Sequence, residues 1–214
     1  MSTTIAPSST TVPTARRPLG KPILWTIIGL AFVSVLIYTD YPLIGHTNDP
    51  YRARLIHDRL FIVPHALAAL AAILIGPFQF STRLRQRHLN LHRIMGRVYV
   101  GAVAVAAPTA FWLNIHDGDG EGWANGTLAT VWFLCTLCAF LAARNRHIAV
   151  HRQWMTRSYV FTLNFIFTRI LNPIPTYFNM SQANFARMLL FLTVCYLLLT
   201  DIWFNRHELL RRRA

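Results

Sequence analysis

Long apolar runs alternate along the chain with short polar segments that are rich in arginine. A helix needs about 20 largely apolar residues to cross a bilayer. The pattern therefore predicts an all-α fold, a polytopic membrane helix bundle. The fifth run is the least apolar, because it carries Arg157, Asn164 and Arg169, and a re-entrant segment is the alternative there. The six predicted transmembrane helices are 22–40, 59–80, 94–115, 123–143, 153–171 and 185–205.

The start of the chain has a different composition. Residues 1–20 are rich in Ser, Thr and Pro without apolar periodicity, which predicts a disordered cytoplasmic tail. Residues 21–214 are expected to form a single membrane domain. The run at 22–40 is too long for a signal-peptide core and no small-residue cleavage site follows it, so it is predicted to remain as the first membrane helix.

One polar segment occurs twice. RHLNLHR at 87–93 recurs as RHIAVHR at 146–152, an offset of 59 residues (147 minus 88). Both copies follow one apolar run and lead into another. A repeat of this size indicates that one supersecondary unit is used twice. The predicted units are 59–115 and 123–171, an internal parallel repeat of two hairpins related by an axis along the membrane normal.

Composition and charge support the membrane assignment. The chain is 54% hydrophobic and only 14% charged, with a positive mean hydropathy, which is not typical of a soluble domain. A net charge of +13 would suggest nucleic acid if the basic residues lay on a polar domain. They lie between apolar runs instead, so anionic lipid headgroups are the expected neighbours and nucleic acid is not.

The positions of the charges predict an orientation. If six spans alternate, 16 of the 21 basic residues fall on the side that holds the tail, both repeat segments and the C-terminus. Six of the eight acidic residues fall on the opposite side. The positive-inside rule then places both termini in the cytoplasm, with the protein in the plasma membrane.

Three histidines are candidate ligands. His88 and His92 are four residues apart, as are His147 and His151, so each pair shares a helical face. Imidazole ligates haem iron, zinc and copper. Contact with lipid phosphates is the favoured interpretation of His88 and His147, whereas His92 and His151 occupy equivalent places in the repeats and are the candidate metal ligands. His65 is the third candidate, because an imidazole inside an Ala-rich membrane helix needs a partner.

Three arginines inside predicted spans need counter-charges, because an unpaired guanidinium in the bilayer is costly. For Arg97 we favour snorkelling towards Asp201 or lipid phosphate. For Arg157 we favour binding of an anionic or electron-rich group, together with Asn164, which lies seven residues away on the same helical face. Arg169 either reaches Asp40 or the acidic residues near Asp117, or neutralises a bound anion. Haem propionates, a phosphate group or a quinone oxygen would fit such residues.

Cys135 and Cys138 have the spacing of a redox dithiol. They lie halfway through the predicted fourth span, away from any cation that would favour a thiolate. The sequence therefore indicates small core residues there. It contains no nucleotide-binding loop and no paired intramembrane carboxylates, so carboxylate-driven proton pumping is not expected.

Three motifs resemble a known family. They are GPFQF at 76–80, HRIMGRVY at 92–99 and HRQWMTRSY at 151–159. Their combination is similar to the bacterial family known as domain of unknown function 2306, over roughly half the chain, from 65 to 169. The resemblance implies a multi-pass protein of the bacterial inner membrane, and it implies no particular activity. The residues that map onto the motifs are His92, Gly96, Arg97, Tyr99, His151, Trp154, Met155 and Arg157.

Two functions are open at this point. The first is a small redox protein that binds haem b, the leading cofactor candidate, or a quinone. The inner pair His92/His151 and the outer His65 are separate sites in that hypothesis, because they lie near opposite faces. The second is a non-enzymatic transporter, or an assembly or sensing protein, with an anion-binding cavity between the hairpins. The candidate cofactor-binding residues are His65, His92, His151, Arg97, Arg157, Asn164 and Arg169.

Overall fold

The computed structural model describes residues 56–115, 120–171 and 174–209, together with four isolated helical positions between 26 and 33. The tail at 1–20 and almost all of the predicted span at 22–40 lie outside those residues. Every regular element in the described part is a helix. The helices are α1 (Arg59–Gln79), α2 (Thr82–Arg87), α3 (Leu89–Ile115), α4 (Gly120–Arg144), α5 (Ile148–Leu171), α6 (Pro175–Phe178) and α7 (Gln182–Leu209).

The all-helical membrane character is confirmed. Four helical segments in the described part are long and apolar enough to cross a bilayer: Arg59–Gln79, Leu89–Ile115, Glu121–Arg144 and Gln182–Arg206. Helix α5 runs unbroken for 24 residues, but its polar side chains keep it outside that group. At about 1.5 Å per residue it is nevertheless as long as the hydrocarbon core is thick. The six-span count thus depends on α5 and on the first run, and it stays a prediction.

Helix ends differ from the predicted spans where basic residues adjoin the membrane. Helix α3 begins at Leu89 rather than 94, and α5 begins at Ile148 rather than 153. Hydropathy detects only the part of a helix that lies in hydrocarbon, whereas the backbone hydrogen bonds continue into the interface. The segment between α1 and α3 also contains a short helix, α2, whose start is capped by Ser81: its Oγ accepts from the Leu84 N–H at 3.2 Å.

The connection between α4 and α5 is a tight turn. Arg146 has φ 63°, in the left-handed region that favours glycine. Its N–H donates to Ala143 O at 3.1 Å, and the His147 N–H donates to Ala142 O at 2.9 Å. This pair of bonds is a Schellman motif, which ends α4 and reverses the chain.

Both elbows, 80–88 and 145–147, lie at the same end of the bundle, as the sequence predicts. We call this the elbow end. Gln79 packs against Gly96, and His151 bonds to Ala139, so each hairpin consists of antiparallel neighbours. At the opposite end Phe61 stacks on Trp112 with ring centroids 3.8 Å apart. Symmetry between the two hairpins stays a prediction.

Small residues set the closest helix contacts. Helices α1 and α3 share the most extensive interface in the described part of the chain. Ala72, Ala106 and Ala107 are buried there. Gly101 does not lie at a close helix contact, because a Cβ at that position would meet nothing within 4 Å. Small side chains let membrane helices approach closely, where dispersion contacts accumulate.

Helix α5 crosses α1 at a glycine–proline pair. Pro77 has no N–H, so it leaves the carbonyl of Ile73, one turn earlier, without its helical donor. The Tyr159 hydroxyl of α5 donates to that carbonyl at 3.4 Å. Its ring lies against Gly76, in the space that a Cβ would occupy. The GPFQF motif thus provides the surface of α1 against which the Tyr159 ring packs.

A buried hydroxyl network joins α3, α4 and α5. The Tyr99 hydroxyl bonds to Ser158 Oγ at 2.8 Å and to Thr162 Oγ1 at 2.9 Å. Thr136 Oγ1 bonds to Ser158 Oγ at 2.7 Å, and Trp132 Nε1 donates to Thr162 Oγ1 at 3.0 Å. Tyr99 is 0% exposed. Such interhelical bonds tie helices together where no water competes for the polar groups.

We expect Tyr99→Phe to lower the free energy of unfolding by about 1–2 kcal/mol, because it removes two interhelical bonds and leaves two buried hydroxyls short of a partner. Thermal unfolding in detergent measures the change. Tyr196→Phe is the matched control, since its hydroxyl makes one bond, to Asn164 Oδ1 at 2.9 Å. Its loss should be about half as large. Equal stability of Tyr99→Phe and wild type would contradict a structural role for the network.

Candidate functional site

Three polar side chains from three helices lie at the elbow end. Gln79 is the last residue of α1, His92 lies in the first turn of α3, and His151 lies in the first turn of α5. Each therefore lies where an apolar helix meets a basic segment. We call these three residues the elbow site. His151 is among the groups that act electrostatically on His92.

Two atoms of the elbow site are buried without a hydrogen-bond partner. They are Gln79 Nε2 and His92 Nδ1, and no other side-chain nitrogen or oxygen in the described part of the chain is in this state. The Gln79 amide packs on the backbone of α3, since a Cβ at Gly96 would lie 3.3 Å from Gln79 Oε1. Gly96 is one turn after His92, on the same face of α3. The unpartnered amide and imidazole thus belong to one region.

His151 has a defined tautomer. Its Nδ1 lies 2.8 Å from the carbonyl oxygen of Ala139 in α4. A carbonyl only accepts, so Nδ1 carries the proton and donates it. Nε2 then presents a lone pair when the ring is neutral, which is how a histidine is prepared to bind a metal or to accept a hydrogen bond.

The elbow site lies in a positively charged environment. Arg85 is the side chain that acts most strongly on His92 by its charge, followed by His151 and Arg93. The only carboxylate with a described side chain at this end is that of Asp201, and it is paired with Arg157. Such a field favours an anionic or electron-rich ligand.

His65 lies towards the opposite end, as the sequence predicts. Its Nδ1 donates to the carbonyl oxygen of Ala106 at 2.8 Å, and Thr109 Oγ1 is 3.5 Å from the same nitrogen. The Thr109 hydroxyl also donates to that carbonyl, at 3.0 Å. His65 therefore has a fixed orientation, but it shares no site with His92 and His151.

Arg157 and Asn164 do share a helical face, and α7 covers it. Arg157 is 9% exposed, forms an ion pair with Asp201, and lies over the Trp154 ring at 4.7 Å. Asn164 is also buried, and its Oδ1 accepts from the Tyr196 hydroxyl. From the sequence we favour ligand binding for Arg157, but the partner of its guanidinium in the structure is the Asp201 carboxylate.

The other predicted site residues do not converge. Arg97 has an exposed side chain. Arg169 belongs to α5, but its side chain is outside the part of the chain that the structure describes. Within the described residues no three His, Cys, Asp or Glu side chains are grouped closely enough to hold a metal ion. Cys135, Cys138 and Cys195 are free thiols.

Sequence reasoning missed Gln79. Gln79 lies in the GPFQF motif, but a glutamine at the end of a helix is common and does not by itself indicate a binding site. The signal that could have identified Gln79 is its side-chain amide, which lies between an Ala-rich span and an arginine-rich segment. Only its contact with α3 shows that the amide is enclosed.

Comparison with known families agrees with the motifs. A family model described as "Predicted membrane protein (DUF2306)" matches residues 62–204, or 143 of the 214 residues (204 minus 62, plus 1). The chain belongs to this family. The matched region includes all three residues of the elbow site. No curated protein and no solved structure matches the chain.

Proposed function

We propose that this integral membrane protein binds the headgroup of a membrane quinone at the elbow site and has a small redox role. The observation that carries the proposal is the pair of buried, unpartnered nitrogens, Gln79 Nε2 and His92 Nδ1. An unsatisfied buried donor costs about 1–3 kcal/mol. The Gln79 amide is a donor, and His92 Nδ1 is a donor in the tautomer that carries its proton there, so a ligand that accepts hydrogen bonds removes that cost.

A quinone matches this chemistry in three ways. Its carbonyl oxygens accept hydrogen bonds from an amide N–H and from an imidazole N–H. Its isoprenoid tail stays in the bilayer, beside the apolar helices that end at the site. The positive charge of Arg85 and Arg93 stabilises an electron-rich headgroup. In the proposed topology the elbow end, and both termini, face the cytoplasm of a bacterial cell.

Haem b is the second candidate, and His151 is the residue that favours it. An axial histidine binds iron through one ring nitrogen while the other N–H donates to a carbonyl or carboxylate. His151 has that arrangement, with Nδ1 directed to Ala139 O. The unpartnered Nδ1 of His92 lacks this support. His151 is accordingly the proposed iron ligand if haem binds, and the quinone is the better match to the whole site.

An anion-binding cavity at Arg157 and Asn164 receives less support. Both side chains have partners on α7, so a ligand there would have to displace Asp201 and Tyr196. No feature of the described residues favours a transporter, an assembly protein or a sensing protein over the redox proposal. We therefore propose the elbow site as the functional centre.

Titration of the purified protein with decylubiquinone tests the proposal, with quenching of tryptophan fluorescence as the readout. We expect Gln79→Leu and His92→Leu each to weaken binding about tenfold, the equivalent of one lost hydrogen bond of about 1.4 kcal/mol. Gln79→Leu should also raise the thermal stability of the unliganded protein, because it removes a buried unsatisfied amide. This combination of weaker binding and higher stability identifies a group kept for a ligand.

Exposed residues of the same type provide the controls. Gln86→Leu and His88→Leu change exposed side chains at the same elbow and should leave decylubiquinone binding within twofold, roughly the error of one such measurement. Equal weakening by the control variants, or no saturable quenching by wild type, would reject the quinone. A Soret band after haem supplementation that is lost in His151→Ala and kept in His147→Ala would assign haem b instead. If neither ligand binds, the redox proposal is wrong.

A further inference from the structure

The first elbow also forms a groove on the outside of the bundle. It is lined by residues from the end of α1, from α2 and from the turn into α3, and its volume is about 380 Å³. None of its lining residues belongs to the elbow site. The lining residues are Phe78, Ser81, Arg83, Leu84, Arg87 and His88.

The groove combines two cations with apolar surface. Arg83 and Arg87 are four residues apart, so they lie on one face of α2, one turn from each other. Phe78 lies on the final turn of α1 with 55% of its side chain exposed, and Leu84 lies between the arginines in sequence. The groove thus has a charged part at the level where the apolar helices end and an apolar part formed by Phe78, at the end of α1, and Leu84.

The two guanidinium groups have no carboxylate partner among the residues that the structure describes. Within the described part of the chain neither Arg83 nor Arg87 forms an ion pair. The Asp201 carboxylate, at the same end, is engaged by Arg157. Two neighbouring exposed guanidiniums with no carboxylate favour a phosphate, which an arginine binds with two parallel hydrogen bonds.

The second elbow differs although its sequence is similar. It is the tight turn at 145–147, with no helix corresponding to α2. The repeat therefore supplies basic residues at both elbows, while the cap at Ser81 and the short helix that follows it build a groove at the first one.

We propose that this groove is a binding site for one anionic phospholipid, with Arg83 and Arg87 on the headgroup phosphate and with Phe78 and Leu84 against an acyl chain. The occupant is a lipid rather than free phosphate because the apolar part of the groove adjoins a membrane helix. The site is independent of the quinone proposal, since the two share no residue.

Native mass spectrometry of the full-length protein, supplied with dioleoylphosphatidylglycerol or dioleoylphosphatidylcholine, tests the site. We expect wild type to retain one phosphatidylglycerol selectively. The double variant Arg83→Gln/Arg87→Gln should bind it about twentyfold more weakly, since each basic residue at an anionic membrane surface contributes about fivefold. Phe78→Ser should weaken retention of the lipid while leaving both arginines in place.

The matched control is Arg144→Gln/Arg152→Gln, which removes the same charge from exposed positions at the second elbow. It should leave phosphatidylglycerol retention unchanged. Circular dichroism checks that each variant keeps its helices. Equal losses in the two double variants would assign retention to diffuse charge and overturn the proposal. So would equal retention of phosphatidylcholine, or displacement of the lipid by inorganic phosphate at the same concentration.

Discussion

Gly76→Ala is expected to lower the stability of the protein by more than about 3 kcal/mol, or to prevent folding. The added Cβ would overlap the Tyr159 ring, whose Cε2 and Cδ2 atoms already lie within contact distance of that position. Overpacking a core costs about 1–3 kcal/mol when the neighbours can adjust. Tyr159 cannot adjust easily, because it is 6% exposed and its hydroxyl bonds to Ile73 O. Yield and thermal unfolding in detergent measure the effect.

Two further variants isolate the cause. Gly101→Ala adds the same methyl group where nothing lies within 4 Å, and it should be neutral or slightly stabilising, since alanine favours the helix. Gly76→Ala/Tyr159→Leu removes the ring that the methyl group meets, so it should recover part of the stability that Gly76→Ala loses. If Gly101→Ala and Gly76→Ala behave alike, the close crossing of α1 and α5 is wrong.

Asp201→Asn is expected to cost about 3 kcal/mol, and more than Arg157→Gln. The guanidinium of Arg157 is largely buried, whereas the Asp201 side chain is 53% exposed. Removing the carboxylate leaves a buried cation without a counter-charge, and a broken buried pair costs about 3–5 kcal/mol. Solvent around Asp201 screens part of that interaction, which places the loss at the low end of the range. Removing Arg157 instead leaves a carboxylate that water can solvate.

A double variant and a second arginine that lies over a tryptophan ring provide the controls for this experiment. Arg157→Gln/Asp201→Asn should be no less stable than Asp201→Asn alone, because no buried charge remains. Arg206 lies over the Trp203 ring at 4.0 Å, as Arg157 lies over Trp154, but it is only partly buried and has no ion pair within the described residues. Arg206→Gln should therefore change stability by about 0.5 kcal/mol or less. Additive losses in the double variant would contradict the ion pair.

The architecture was largely predictable because a helix that crosses the membrane needs an apolar run as long as the hydrocarbon core is thick. The apolar runs after residue 56 all became helices, and the basic segments at 87–93 and 146–152 came to the same end of the bundle. Where the prediction differed, at the starts of α3 and α5, the cause was a helix that continues past its apolar part. The short helix α2 was missed, since its hydroxyl cap at Ser81 is a weak signal among arginines.

The candidate site was only partly predictable. His92 and His151 were singled out from the repeat, and both lie at the elbow end, in the first turns of α3 and α5. Gln79 was not, because its significance comes from the enclosure of its amide against Gly96. Arg157 and Asn164 were predicted to share a face, which they do, but their partners Asp201 and Tyr196 lie far along the chain in α7.

The sequence by itself determined which apolar runs after residue 56 become helices, and that the two basic elbows lie at one end of the bundle. Tertiary structure alone decided that Tyr159 fits over Gly76, that Arg157 has a carboxylate partner, and that two nitrogens of the elbow site have none. The physical reason is that lipid is as apolar as a helix surface, so hydropathy records how deep a residue lies but not which neighbour it faces. Rotation and pairing of the helices follow from close packing and interhelical hydrogen bonds, which involve residues distant in sequence.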